Sequence, residues 1–307
     1  MKYELTGITM ENKDGITLYR IRALESFADV KVGDIGGFIE KEDNLSQEGR
    51  CWVYGDAEVS GEMHVLGNAV VKDNARAYTR GYSEISGNAV LCGHAKAIGG
   101  SLYITDNAEV SDDAMVMDGS RVSGHAKICG NASINGMTAV SDYAEVSDNV
   151  RTAGMPSISG HAKVSGDTRM YNNSSIAQNA QVKDCNLEGS ASIDSDAVVT
   201  STNMKGSAKI SGNANVSGDL KRHSKARLSG HAYVAGNARI AAKVELYGDV
   251  QVLGNVEILE NVRLGSNTVI RNSSDYAAAF GVQDSLKSLG DAISDLESQM
   301  QGDAMQA

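Results

Sequence analysis

Val122-Ser123-Gly124-His125-Ala126-Lys127 is one copy of the six-residue unit that decides the fold of this chain. The unit reads aliphatic, any, Gly or Asp, then Asn, Asp or His, then Ala or another small residue, then any. Val65-Leu66-Gly67-Asn68-Ala69-Val70 and Val252-Leu253-Gly254-Asn255-Val256-Glu257 are further copies. A period of six is neither that of an α-helix nor the simple alternation of a strand. Ala69 and Val71 flank Val70, and in extended backbone residues two apart point the same way, so the small and the aliphatic positions are both predicted to face inward. Between them, Gly-Asn, Gly-Asp or Gly-His turns a corner, because these residues tolerate left-handed or tight backbone. Three hexads then close a triangular rung of about 18 residues. The predicted class is all-β: a left-handed parallel β-helix, an exception to the usual right-handed crossover.

The phase runs unbroken from Ile104 to Val182. Slips are expected near Thr79–Glu84, near Ile98–Tyr103, and by one residue each before Leu187 and before Met204, after which the phase is expected to hold to Ile270. The hexads occupy residues 51–272, which is about 12 rungs and roughly 55–60 Å of stacked strands.

Both ends break the rule. Residues 1–50 read as a small β cap. Tyr3–Met10 and Ile16–Ala23 are predicted strands, and the Asp14-Gly15 pair between them supplies a positive-φ turn residue. The open end of a β-helix needs such a cover, although the same segment would also serve as a recognition module. In residues 273–307, Asp275 is a candidate helix cap, and Val282, Leu286, Leu289, Ile293, Leu296 and Met300 alternate steps of four and three. That heptad seam predicts an oligomerisation helix, most naturally a trimeric coiled coil matching a three-sided prism. Packing of the helix on the β-helix wall is the other outcome.

Composition agrees with a thin prism. The chain has 3 Phe, 11 Tyr, 1 Trp and a single proline against 33 glycines. A formal charge of −11 argues against nonspecific binding to nucleic acid or an anionic membrane, since both need a basic face. No apolar leader or 18-residue apolar run occurs, and the four cysteines form no CxxC pair. A bacterial host cytoplasm is the expected location.

Residues 18 apart should stack. Glu109, Lys127, Glu145, Lys163 and Gln181 then form an outward column of alternating sign. His125, Tyr143 and His161 form another at a corner turn, with His231 on the same edge if the slips are absorbed locally. In that column His replaces the Asn of sister repeats, so tolerance of the turn conformation explains it; a partner-binding edge is the functional alternative.

These hexads resemble the hexapeptide-repeat superfamily, whose members include trimeric acyltransferases and γ-class carbonic anhydrases. More narrowly, Asp29-Val30-Lys31-Val32-Gly33-Asp34-Ile35-Gly36-Gly37-Phe38-Ile39 with Leu45-Ser46-Gln47-Glu48-Gly49-Arg50-Cys51-Trp52-Val53-Tyr54 resembles the start of a group of enterobacterial and phage or prophage β-helix proteins, some of which carry an acyltransferase label. The resemblance implies that fold, a phage or bacterial origin, and acyl transfer as one activity to weigh. The zinc site of the carbonic anhydrases does not carry over, because that site needs two histidines five residues apart and the nearest pair here, His223 and His231, is eight apart. No metal and no cofactor is expected.

For acyl transfer the resemblance implies a basic histidine and a loop that walls off the donor. His64 and His223 are the candidates outside the Gly-His-Ala corners, and Lys221, Arg222 and Lys225 could meet a phosphate of coenzyme A. The long regular stretch holds no inserted loop. The main expectation is therefore a non-catalytic, self-assembling scaffold or binding protein, phage-encoded, that engages a protein partner as a host-factor inhibitor or a virion component. An acyltransferase using an acyl-CoA donor is the alternative.

Overall fold

A computed structural model describes residues 1–220, 226–235, 239–240, 244–254, 256–258, 261–265 and 267–279. It is a parallel β-solenoid of about 12 turns with one short C-terminal helix at 273–279. The stacked parallel rungs and inward-facing aliphatic and small positions expected from the hexads are present. Ala69, Val71, Ala126 and Ile128 are fully buried, while Val70 between the first two is only half-buried. Stacks of such Ala and Val/Ile/Leu pairs fill the prism, and each fully buried aliphatic side chain contributes about 1.5–3 kcal/mol.

Seven strands build the first rungs: β1 (Tyr3–Glu11), β2 (Thr17–Ala23), β3 (Ile35–Ile39), β4 (Trp52–Val53), β5 (Glu58–Val65), β6 (Val70–Val71) and β7 (Arg76–Ile85). β1 and β2 form an antiparallel hairpin, and β2 pairs antiparallel with β3. Asn12 organises the hairpin turn by accepting the amides of Asp14 and Ile16 on its side-chain oxygen, and Gly15 sits at φ +75°. β3 pairs in parallel with β5, and Leu45 bridges Val65. Parallel stacking thus reaches back to Ile35, into the segment read as cap. Over the open end, Trp52 meets Tyr3 and Phe27 edge-on, with ring centroids 6.1 and 5.4 Å apart.

The strand pairing locates every slip. Glu58 faces Arg76, but Met63 faces Ser83, so Glu62 alone opposes the bulge Arg80-Gly81-Tyr82. The surplus is reduced at Glu84↔Tyr103 and gone by Tyr103↔Arg121. Arg169 pairs with Asn186 and Asn186 with Asn203, both 17 residues on, matching the two predicted one-residue deletions. One correction follows for the upper rungs. Leu220, not Arg222, stands in register with Met204, and Leu220 then pairs with Ile240, so this column takes a step of 16 and then one of 20. The neighbouring column Ile210, Leu228, Leu246, Leu264 keeps the regular step.

At 273–279 the cap differs from expectation. Asn272 accepts the amides of Ser274 and Asp275 on its side-chain oxygen, whereas Asp275 reaches back to the Arg271 amide. Asn272 is the N-cap and Asp275 stands three residues into the helix, close to a capping box. Val282, Leu286, Leu289, Ile293, Leu296 and Met300 lie outside the described residues.

Corners repeat one device. Asp106, Gly124, Asp142 and Gly160 stack at φ between +61° and +72°. The Asp106 carboxylate accepts the Gly124 amide at 2.9 Å, and Asp142 does the same for Gly160 at 2.9 Å. A Cβ on Gly160 would lie 2.7 Å from the Gln178 nitrogen. Gly160→Ala is therefore expected to cost about 1–3 kcal/mol in urea unfolding, whereas Gly7→Ala, with nothing within 4 Å of its added Cβ, should change stability little. Equal losses at the two positions would refute the steric account.

Candidate functional site

A concave surface lies where the β1–β2 turn overhangs the solenoid face formed by the first halves of β5 and β7, by Lys96–Gly99 and by Met115–Met117. A cavity of about 560 Å³ is lined from above by Asn12, Lys13 and Asp14, and from the wall by Glu58, Ser60, Arg76, Tyr78, Arg80 and Lys96, with Ala77, Ile98 and Met117 as its apolar part. A second hollow of about 720 Å³ continues it past Lys13, Arg76 and Lys96 toward Met10, Phe38 and His94. Together they make one groove.

The charges in the groove are unequally engaged. Arg76 is bound to the largely buried Glu58 at 2.7 Å, and the Asp118 carboxylate accepts the Gly100 amide at 2.7 Å. Arg80 is hydrogen-bonded to the Tyr78 oxygen, which holds its guanidinium above the ordinary arginine range. Lys13 and Lys96 make no ion pair with the described residues, and both line the two hollows. The carboxylates of Asp14, Asp56, Asp113 and Asp118 line the same hollows, so the groove offers an apolar strip flanked by groups of both signs and suits an elongated ligand that carries polar as well as apolar parts.

His64 stands just beyond, past the corner at Gly61-Glu62, and does not line the groove. Its Nδ1 lies 2.9 Å from the Asp43 carbonyl oxygen, and its ring stacks on Tyr82 with centroids 4.8 Å apart. A carbonyl only accepts, so Nδ1 carries the hydrogen, and in the neutral ring the lone pair is on Nε2. The bulge links the two places: Arg80 lines the groove, and Tyr82, two residues on, supports the histidine. The overhang comes from a hairpin outside the repeat, which no hexad count could reveal.

The corner column is real and longer than three residues. His125, Tyr143 and His161 are exposed and stacked, with centroids 4.7 and 4.8 Å apart and planes within 4° and 10°. Asn68, Asn88 and Asn107 continue it below through side-chain amide hydrogen bonds, and Asn179 bonds to Asp196 above. His231 joins the same edge between Asn213, at 3.2 Å, and Asp249, at 3.3 Å. It lies far along the solenoid from the groove. In the alternating column, Lys163–Glu145 at 3.0 Å is an ion pair. Lys221, Arg222, His223 and Lys225 lie outside the described residues.

Other chemistries find little support. Among the described residues no three His, Cys, Asp or Glu side chains are placed to hold a metal ion, and no helix is long and apolar enough to cross a membrane. Burial raises the thiols of Cys92 and Cys129 above their ordinary value and lifts that of Cys185 to about 11, so these three are not prepared as nucleophiles.

No family model matches the chain. A 56-residue stretch is 41% identical to an uncharacterized acetyltransferase, YdcK, of Escherichia coli (strain K12). The match covers 16% of this chain and 17% of that protein, so most of both lies outside it.

The Cys185 thiol titrates at about 11 when folded, against an ordinary 9.0. The folded state therefore holds this proton more tightly, and its contribution to stability is intact below pH 9 and lost as pH rises through 9 to 11. Cys185→Ala should flatten the alkaline limb of a stability–pH curve by about 2–3 kcal/mol; an unchanged limb would contradict the assignment.

Proposed function

We propose that the protein is an acyl-transfer β-solenoid: the groove under the β1–β2 turn holds an acyl thioester donor, and His64 is the general base. The carrying observation is the bulge Arg80-Gly81-Tyr82, which sets a groove-lining cation and the support of an oriented histidine on either side of one corner. In this reading Lys13, Lys96 and Arg80 hold anionic groups of the donor, while Ala77, Ile98 and Met117 meet its apolar arm. Nε2 of His64 takes the proton from an acceptor hydroxyl or amine as that group attacks the thioester carbonyl. General-base help of this kind contributes about 10²–10⁴ in rate. The matched stretch of an acetyltransferase-named protein favours the same reading.

A second reading is a phage-encoded binding scaffold in a bacterial cytoplasm, engaging a macromolecular partner through its outer edges. The exposed His125–Tyr143–His161 stack favours it. In either case the heptad seam from Val282 to Met300 would assemble a trimer. Removing residues 275–307 should then reduce the mass by light scattering to that of one chain, and an undiminished oligomer would sink the coiled-coil role.

Acetyl-coenzyme A should raise the melting temperature, with the shift lost in the Lys13→Glu/Lys96→Glu double variant. His64→Asn should keep the shift and lower thioester turnover, measured by free-thiol release with a mixed amine and hydroxyl acceptor set, at least about 100-fold. No shift together with capture of one host protein, reduced by His125→Ala/Tyr143→Ala/His161→Ala, would overturn acyl transfer in favour of the scaffold.

A further inference from the structure

Lys2 is 1% exposed, and among the described residues its ammonium group has no carboxylate as a hydrogen-bond partner. It donates to the backbone carbonyls of Cys51 at 3.0 Å and Glu48 at 3.3 Å, and its third contact is Sγ of Cys51 at 3.2 Å. The Phe27 ring covers it with its centroid 5.2 Å away. Cys51 is fully buried. A buried lysine is usually neutralised by an acid; here it is aimed at a thiol. The backbone amide of Lys2 is also fixed, donating to the Gln47 side chain at 2.8 Å, so both ends of this residue are held. The pair belongs neither to the groove nor to the His64 corner.

We propose that Lys2 and Cys51 are a redox-controlled cross-link site, joined through one oxygen as Nζ–O–Sγ by peroxide and released by thiols. The 3.2 Å separation leaves room for a single bridging atom once the two side chains close slightly. Counted from the neutral thiol and amine, two peroxides are consumed and three waters are formed. An S–O and an O–N bond form, while the S–H bond and one N–H bond break. Sulfur and nitrogen each give up two electrons to the peroxides, and the displaced hydrogens leave in water. The first peroxide makes the Cys51 sulfenic acid, the entry point of reversible cysteine oxidation. A neighbouring nitrogen held in hydrogen-bond range then diverts that acid from further oxidation. Peroxide would enter through the turn beside the thiol: the Glu48 carbonyl lies 3.7 Å from Sγ, and Glu48, Gly49 and Arg50 are exposed. The link would tie residue 2 to residue 51, spanning the hairpin that roofs the groove.

The test treats the full-length protein with hydrogen peroxide and reads intact mass and peptide maps. Wild type should gain about 14 Da, one oxygen in and two hydrogens out, with a linked peptide carrying residues 2 and 51, and dithiothreitol should reverse both. Lys2→Arg, which keeps the charge, and Cys51→Ser, which keeps the shape, should give no linked peptide while retaining the wild-type circular dichroism spectrum. A gain of about 16 or 32 Da at Cys51 with no link, a link that forms in Lys2→Arg, or no reaction at Cys51 would each overturn the proposal. Should either variant misfold, wild type alone decides by the presence or absence of the reversible linked peptide.

Discussion

The solenoid depends on a corner residue held at positive φ. A rung can close into a triangle only if the chain turns sharply at the same place every 16 to 20 residues, and L-residues resist the left-handed conformation that the turn needs. Glycine accepts it freely, and aspartate accepts it with help from its own side chain. Along one edge the chain alternates the two: Asp106, Gly124, Asp142, Gly160. Another edge repeats the pattern with Asp112, Gly130, Asp148, Gly166 and Asp184. Alternation follows from space and charge together. The carboxylate of one rung reaches the amide of the next, and the residue above must lack a Cβ to let the backbones approach.

This arrangement also decides which interaction sets the register between rungs. The alternating column Glu109, Lys127, Glu145, Lys163 has the right sign pattern for the task, but Glu145 and Lys163 are each more than half exposed, and such pairs are worth about 0–1 kcal/mol. The corner hydrogen bonds are exposed as well, but each ties a fixed backbone amide to a short side chain, so little side-chain entropy is lost and each contributes about 0.5–1.5 kcal/mol. A slip of one rung would stack aspartate on aspartate and leave glycine amides without acceptors. The corners outweigh the charge ladder, although only the ladder is conspicuous in the sequence.

What could be read from the sequence divides along the same line. The inward residues, the uninterrupted stretch, the four slips and the stacked His125–Tyr143–His161 edge all follow from counting, because each is a consequence of local geometry repeated. The groove was not countable. It needs β1 and β2 to fold back over β5 and β7, and nothing in Lys13 or Lys96 taken alone says that a hairpin tip will meet a wall about two to six rungs' worth of sequence away. His64 was singled out, but its orientation comes from the carbonyl of Asp43 and the ring of Tyr82, one from an irregular turn and one from a bulge. Leu220 for Arg222 was missed for the same reason: two compensating irregularities cancel in the flanking phase.

A regular array has little room for chemistry, since every departure from the repeat breaks hydrogen bonds on two neighbouring rungs. The end of the array is the exception. There the backbone groups and apolar side chains must be covered in any case, so a hairpin, an aromatic plug at Trp52 and a short irregular turn at Glu42–Asn44 are present for stability before they serve anything else. Extending that hairpin by a few residues past the edge it must cover creates a roofed groove at small further cost. The bulge at Arg80-Gly81-Tyr82 lies within this capped region, two rungs in, where overhanging chain can shelter what the bulge displaces. Covering an open end and building a concave site are thus met by the same N-terminal part of the chain, up to Asp118, and the long regular remainder is left to length, rigidity and its edges.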